Sequence, residues 1–234
     1  MSTFVLVHGA WHGGWCWSAV AERLRGAGHR VYTPTLTGLG ERAHLFGGHI
    51  NLTTHITDVV NTLEYEDLRD VVLCGHSYGG CVISGVVERA FDRIAALVFL
   101  DAFIPDDGQA MADVTSGGLN ARLLSGTGLN GGIGIPPIPA AVFRTREENC
   151  AYVDAKCVLH PVGSFLEKLK LTGARERVAR KTYIRAASYP SESFDKARER
   201  ARAEGWRVVD LPSGHDVMVD LPGPLAEELE SVLS

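Results

Sequence analysis

The chain has no excess of positive charge, no apolar run of membrane-spanning length, and few cysteines. Lys and Arg number 23 against 28 Asp and Glu, a formal charge of −5, so there is no electrostatic footprint for nucleic acid or anionic lipid. The stretch Lys168–Arg207 is locally basic but interspersed with acids. It reads as a solvated helix face with pairs such as Glu192–Lys196 and Arg200–Glu204. No apolar run approaches the roughly 20 residues of a membrane span. The five cysteines (Cys16, Cys74, Cys81, Cys150, Cys157) are an odd number without framework spacing, which excludes a disulfide scaffold and points to a reducing compartment. Strand-like sequence begins at Thr3 and leaves no room for a targeting segment, so a cytoplasmic location is expected.

What is present is an alternation. Apolar runs at Phe4–His8, Arg30–Thr33, Val71–Cys74, Ala95–Asp101, Thr182–Ala186 and Arg207–Leu211 read as strands buried on both faces. Helix-period segments near Ser18–Gly26, Thr54–Leu63, Gly80–Phe91, Phe194–Glu204 and Pro224–Leu233 lie between them. This predicts an α/β fold with a doubly wound, mostly parallel sheet of about six strands and helices on both faces. Ligands in such sheets bind at the carboxyl ends of the strands. The alternation breaks over residues 105–181, too long a stretch for a plain loop. It holds a Gly-rich passage (Gly117–Gly134), expected to be mobile, and helix-like Arg146–Val153 and Ser164–Leu171. We read residues 1–104 and 182–234 as the core and 105–181 as an inserted cap.

Gly75-His76-Ser77-Tyr78-Gly79 is a G-x-S-x-G pentapeptide between a buried strand and a helix. That setting forces Ser77 onto a sharp turn with its hydroxyl exposed, and side chains at Gly75 and Gly79 would collide with neighbouring backbone. A serine hydroxyl needs a base. His215, in Ser213-Gly214-His215-Asp216 after the last strand, is placed to supply it. His76 is read as structural. Two amides aimed at a developing oxyanion are also required. Tyr78 and Ala10, the latter in the loop His8–Gly14, are the candidates. His8 and His12 sit four apart on that loop without HExxH or a third ligand, so no metal is expected.

The elbow, the segment Leu6–Trp17 (LVHGAWHGGWCW), Pro34–Arg42 (PTLTGLGER) and the terminal Gly214-His215-Asp216 resemble the α/β-hydrolase superfamily. They are most similar to the branch of plant methylesterases, salicylate-binding esterases, hydroxynitrile lyases and small bacterial esterases. The resemblance implies a Ser-His-Asp triad, a small helical cap over an apolar pocket, no cofactor, and ester hydrolysis through an acyl-enzyme. It departs at the acid. The family's aspartate follows the penultimate strand, and here that place holds Ser188-Tyr189. Asp216 adjoins the base, and a neighbouring side chain rarely folds back onto its predecessor's ring. Asp101 ends the strand after the nucleophile's helix and should emerge at the same edge. It is the chosen acid; Glu192, Asp195 or no acid partner are the alternatives.

Rival readings are a hydroxynitrile lyase on the same triad and a slow-turnover receptor. The lyases resemble one another in a threonine after the first-strand histidine and a lysine after the catalytic one, where this chain has Gly9 and Asp216. Trp11, Phe103 and Phe143 are candidates to line a pocket, and no Arg or Lys is readable as an anchor at the strand ends. The expected partner is therefore a small, largely apolar ester, with no nucleic acid or membrane. A homodimer is compatible with the sequence without being required by it.

Overall fold

A computed structural model describes residues 1–115 and 131–233. The six-stranded sheet comprises β1 (Thr3–Val7), β2 (Arg30–Tyr32), β3 (Val71–His76), β4 (Ile94–Leu100), β7 (Arg180–Ala186) and β8 (Arg207–Leu211). Its order is β2-β1-β3-β4-β7-β8, with every pairing parallel. From β1 the chain turns outward to β2, then returns to the other side of β1 as β3. The loops after β1 and β3 therefore diverge at a topological switch point, the place where ligands bind in sheets of this kind.

Side chains alternate between two apolar clusters, as strand geometry requires. Val5, Val7, Leu73, Leu97 and Phe99 face one side, with Val59 and Leu63 of α2 (Leu52–Tyr65) and Val82 and Val86 of α3 (Gly79–Ala90). Phe4, Leu6, Val72, Cys74 and Val98 face the other, with Val20 and Leu24 of α1 (Ser18–Gly26). That face also receives Leu225 and Leu229 of α10 (Pro222–Glu230), the C-terminal helix, which follows the short α9 (Val217–Asp220). Asn51 caps α2 by accepting the Thr54 amide at 2.9 Å, and Ser191 caps α8 (Glu192–Ala203).

β4 and β7 are paired neighbours although about 80 residues of sequence separate their ends. Between them lie α4 (Met111–Val114), an antiparallel ladder of β5 (Gly134–Ile135) and β6 (His160–Pro161), and α5 (Glu147–Lys156). Then come α6 (Gly163–Leu166) and α7 (Ala174–Arg177). Most of the expected mobile Gly-rich passage lies outside the described residues. The helix expected at Ser164–Leu171 is a single turn. Glu167 instead accepts bonds from the Thr53 amide and hydroxyl (2.6 and 2.8 Å). Leu169 then trades backbone bonds with Gly108 and Gln109, which holds the chain extended.

Candidate active site

β3 runs straight into the elbow. Ser77 has φ 53°, a left-handed backbone rare outside glycine. The turn closes because its flanks are glycines: a Cβ at Gly75 would lie 2.5 Å from the Gly79 carbonyl oxygen, and one at Gly79 2.8 Å from that of Val7. The end of β4 wraps over the elbow. The Ser77 amide donates to Leu100 O, and the Ser77 carbonyl accepts from the amides of Gly80 and Phe103. Gly9 lets the first-strand loop approach, since a Cβ there would stand 3.0 Å from Ser77 Cβ.

His215 is brought to this edge by the loop after β8. Its amide donates to Phe143 O at 2.9 Å, and its carbonyl accepts the Nε2–H of His76 at 3.0 Å. His76 is thus structural in its contacts, as expected. A Cβ at Gly214 would meet Arg144 O at 2.1 Å, so this loop and the 143–145 turn fit only with glycine there. The imidazole is walled by Phe194 (stacked, centroids 5.0 Å apart), Tyr189 (5.1 Å) and Phe143 (5.2 Å).

Asp101 is fully buried, with φ 41°. Its Oδ2 lies 2.6 Å from His215 Nδ1. Its Oδ1 accepts from Arg185 Nη1 at 2.7 Å and from the Ala186 amide at 3.2 Å. The alternative acids are engaged elsewhere. Glu192 pairs with Lys196 on an exposed helix face, and Asp195 pairs with Arg185. Asp216 turns from its neighbour: Oδ2 accepts from Thr145 Oγ1 at 2.7 Å, and Oδ1 lies 3.3 Å from His12 Nε2, off line for a good hydrogen bond. Burial opposes charge on both partners, yet their mutual attraction raises His12 and lowers Asp216 relative to their ordinary pKa values.

His8 donates through Nδ1 to Gly9 O and accepts the Leu36 amide on Nε2. Burial lowers its pKa to about 3. Among the described residues no group of three His, Cys, Asp or Glu is placed to hold a metal. The pocket candidates cluster unevenly. Trp11 and Phe143 have ring centroids 6.1 Å apart, whereas Phe103 packs on Phe194 at 4.8 Å.

Three participants were not legible in the sequence. Arg185, a buried residue, binds Asp101, Asp195 and the carbonyls of Ala186 and Tyr189. The signal was an arginine inside Thr182–Ala186, a run read as a buried strand, where an unpaired charge is costly. Phe194 and His160 left none, because the contacts that matter are long-range.

The family model described as "Alpha/beta hydrolase family" matches residues 4–228. A carbendazim hydrolyzing esterase of Nocardioides sp. (strain SG-4G) is 43% identical over 99% of this chain and 100% of its own length. A putative methylesterase 14 of Arabidopsis thaliana is 31% identical over 91% of this chain and 66% of its own length. Among solved structures, an extracellular alpha/beta-hydrolase from a Paenibacillus species superposes with a TM-score of 0.88 at 27% identity, covering 99% of both chains. That protein is described as sharing structural and functional homology with tobacco salicylic acid binding protein 2.

Proposed function

The chain belongs to the alpha/beta hydrolase family and is an esterase, and from that premise we propose a serine mechanism on Ser77, His215 and Asp101. The observation that supports this reading most is the 2.6 Å contact of His215 Nδ1 with Asp101 Oδ2, beside the left-handed Ser77 elbow. With Nδ1–H donated to Asp101, Nε2 is the free base. It removes the Ser77 proton as Oγ attacks the ester carbonyl, and the carboxylate stabilises the imidazolium. The backbone N–H groups of Ala10 and Tyr78 receive the oxyanion. His215 then protonates the departing alkoxide, and water attacks the acyl-enzyme by the same route in reverse.

Residues 105–181 act as a cap, because Phe143 presses on His215 and Trp11 packs against Phe143 and Phe165. The aromatic surround favours an apolar ester of modest size. The lyase alternative would want a cation beside His215, and Asp216 stands there, already paired with His12. A receptor with no turnover would not need an aspartate–histidine pair bonded in the interior.

The test is burst kinetics with a p-nitrophenyl ester and mass analysis after a serine-reactive phosphonate. A burst and a single adduct on Ser77, both absent in Ser77→Ala, are expected. An unlabelled Ser77, or an active Ser77→Ala, would sink the proposal.

A further inference from the structure

Trp11 has φ 64°, a conformation that a bulky side chain holds only where its surroundings over-determine it. All three of its polar handles are taken, and every partner lies in the stretch between β4 and β7. Its amide donates to His160 Nδ1 at 3.2 Å. Its carbonyl accepts the Val158 amide at 3.0 Å. Its indole N–H donates to Ile135 O at 3.1 Å. Ile135 and His160 are register partners in the small antiparallel ladder, so one ladder supplies two of the three partners. Trp11 directly follows Ala10. Tyr78, the other amide donor, is drawn into the same cluster: its hydroxyl donates to His55 Nδ1 at 2.9 Å, and its ring meets His160 with centroids 4.9 Å apart.

We propose that His160 is a positioning residue: through Trp11 it fixes the Ala10 amide for the oxyanion, making the inserted ladder part of the catalytic apparatus. The proposal rests on the acyl-transfer reading above. The hydrogen bonds assign His160 one tautomer. Nδ1 accepts from Trp11, Nε2–H donates to Ser164 Oγ at 2.7 Å, and Ser164 donates onward to Pro161 O. Burial, with His55 and His8 adding to it, lowers the His160 pKa well below that of a free histidine, so Nδ1 keeps its lone pair. Without that acceptor the Trp11 amide is unpaired in the interior, and the residue is expected to relax out of the left-handed region. The Ala10 N–H would turn with it.

Full removal of one oxyanion donor costs roughly 10²–10³ in turnover, so loosening one should cost about ten-fold or more. His160→Leu is expected to lower kcat by that factor with KM nearly unchanged. Its affinity for a boronic acid transition-state analogue should fall in parallel. His160→Asn, which restores an acceptor oxygen near the place of Nδ1, should recover most of both. Should His160→Leu fail to fold, Trp11→Phe removes the indole bond and part of the ring packing but leaves both backbone bonds, and should give a smaller loss of the same kind. An unchanged kcat in folded His160→Leu, a loss confined to KM, or no recovery in His160→Asn would overturn the proposal. Ser77→Ala separates the levels. If it is inactive while His160→Leu is normal, the positioning role alone fails; if it is active, the acyl-transfer reading itself fails.

Discussion

At Asp101 one carboxylate serves two cations' worth of demand. Oδ2 meets His215 and Oδ1 meets Arg185, so in the proposed mechanism the imidazolium would share its counter-charge with a guanidinium. Asp101→Asn should lose on the order of 10⁴ in kcat while remaining folded, because the amide neither fixes the tautomer nor stabilises the imidazolium. Rates near wild type in that variant would refute the assignment. Glu192→Gln and Asp195→Asn should stay within a few-fold of wild type in the same assay. Arg185→Met should behave differently. It leaves Asp101 Oδ1 with the Ala186 amide alone, so the carboxylate is held less firmly and kcat should fall with KM nearly unchanged. Wild-type kcat in that variant would show that the Ala186 amide suffices to hold the carboxylate. Ser77 and His215 were legible because local signals mark them: a glycine-flanked serine and a Gly-His-Asp after the last strand. The placement of Asp101 followed from strand order. His160 was not legible because it meets Trp11 across 149 residues, which no local pattern encodes; Arg185 stands out as a charge in a buried strand, but its partner 84 residues away does not follow from that.

Elements were easier to read than residues. All six sheet strands lie close to where the apolar runs place them; the inner β1, β3 and β4 are mostly buried and so almost continuously apolar, while the edge strands β2 and β8 are partly exposed. The inserted stretch was harder. α6 stops at Leu166 because Thr53 and Gln109 claim the next groups, a competition set by tertiary contacts. The strand–helix junction at β3 and α3 has no slack, with a Cβ at Gly75 already inside contact distance of Gly79 O. Gly75→Ala is therefore expected to destabilise the fold by about 1–3 kcal/mol, the usual cost of overpacking. Urea unfolding monitored by circular dichroism would measure it. A midpoint equal to wild type would show that the elbow can relax, and that its glycines are not required by sterics.

On the scale of the whole molecule, the interior carries four histidines, among the described residues, that burial holds neutral. His8 has its pKa lowered to about 3 and His55 to about 4, and those of His76 and His160 are also lowered. Each accepts protons readily in the unfolded chain below about pH 6.5 but not in the folded one. The unfolded state then binds more protons, so stability is full above that pH and drains as pH falls toward the folded values. A single such group costs about 1.4 kcal/mol per pH unit once fully titrated in the unfolded chain, so His8 and His55 together approach about 3 kcal/mol per unit near pH 5, and His76 and His160 act in the same direction. His12, raised by Asp216, has the opposite sign. Its contribution is complete below about 6.5 and is lost only as pH rises toward its folded value, so it offers no compensation in acid. Ordinary domains have about 5–15 kcal/mol in total, so this one is expected to unfold by about pH 4–5. Urea titrations between pH 7.5 and 5 should show the steep slope. Activity and near-ultraviolet circular dichroism should disappear together on acidification. A flat stability profile down to pH 5 would mean that the buried histidines gain protons without opening the core.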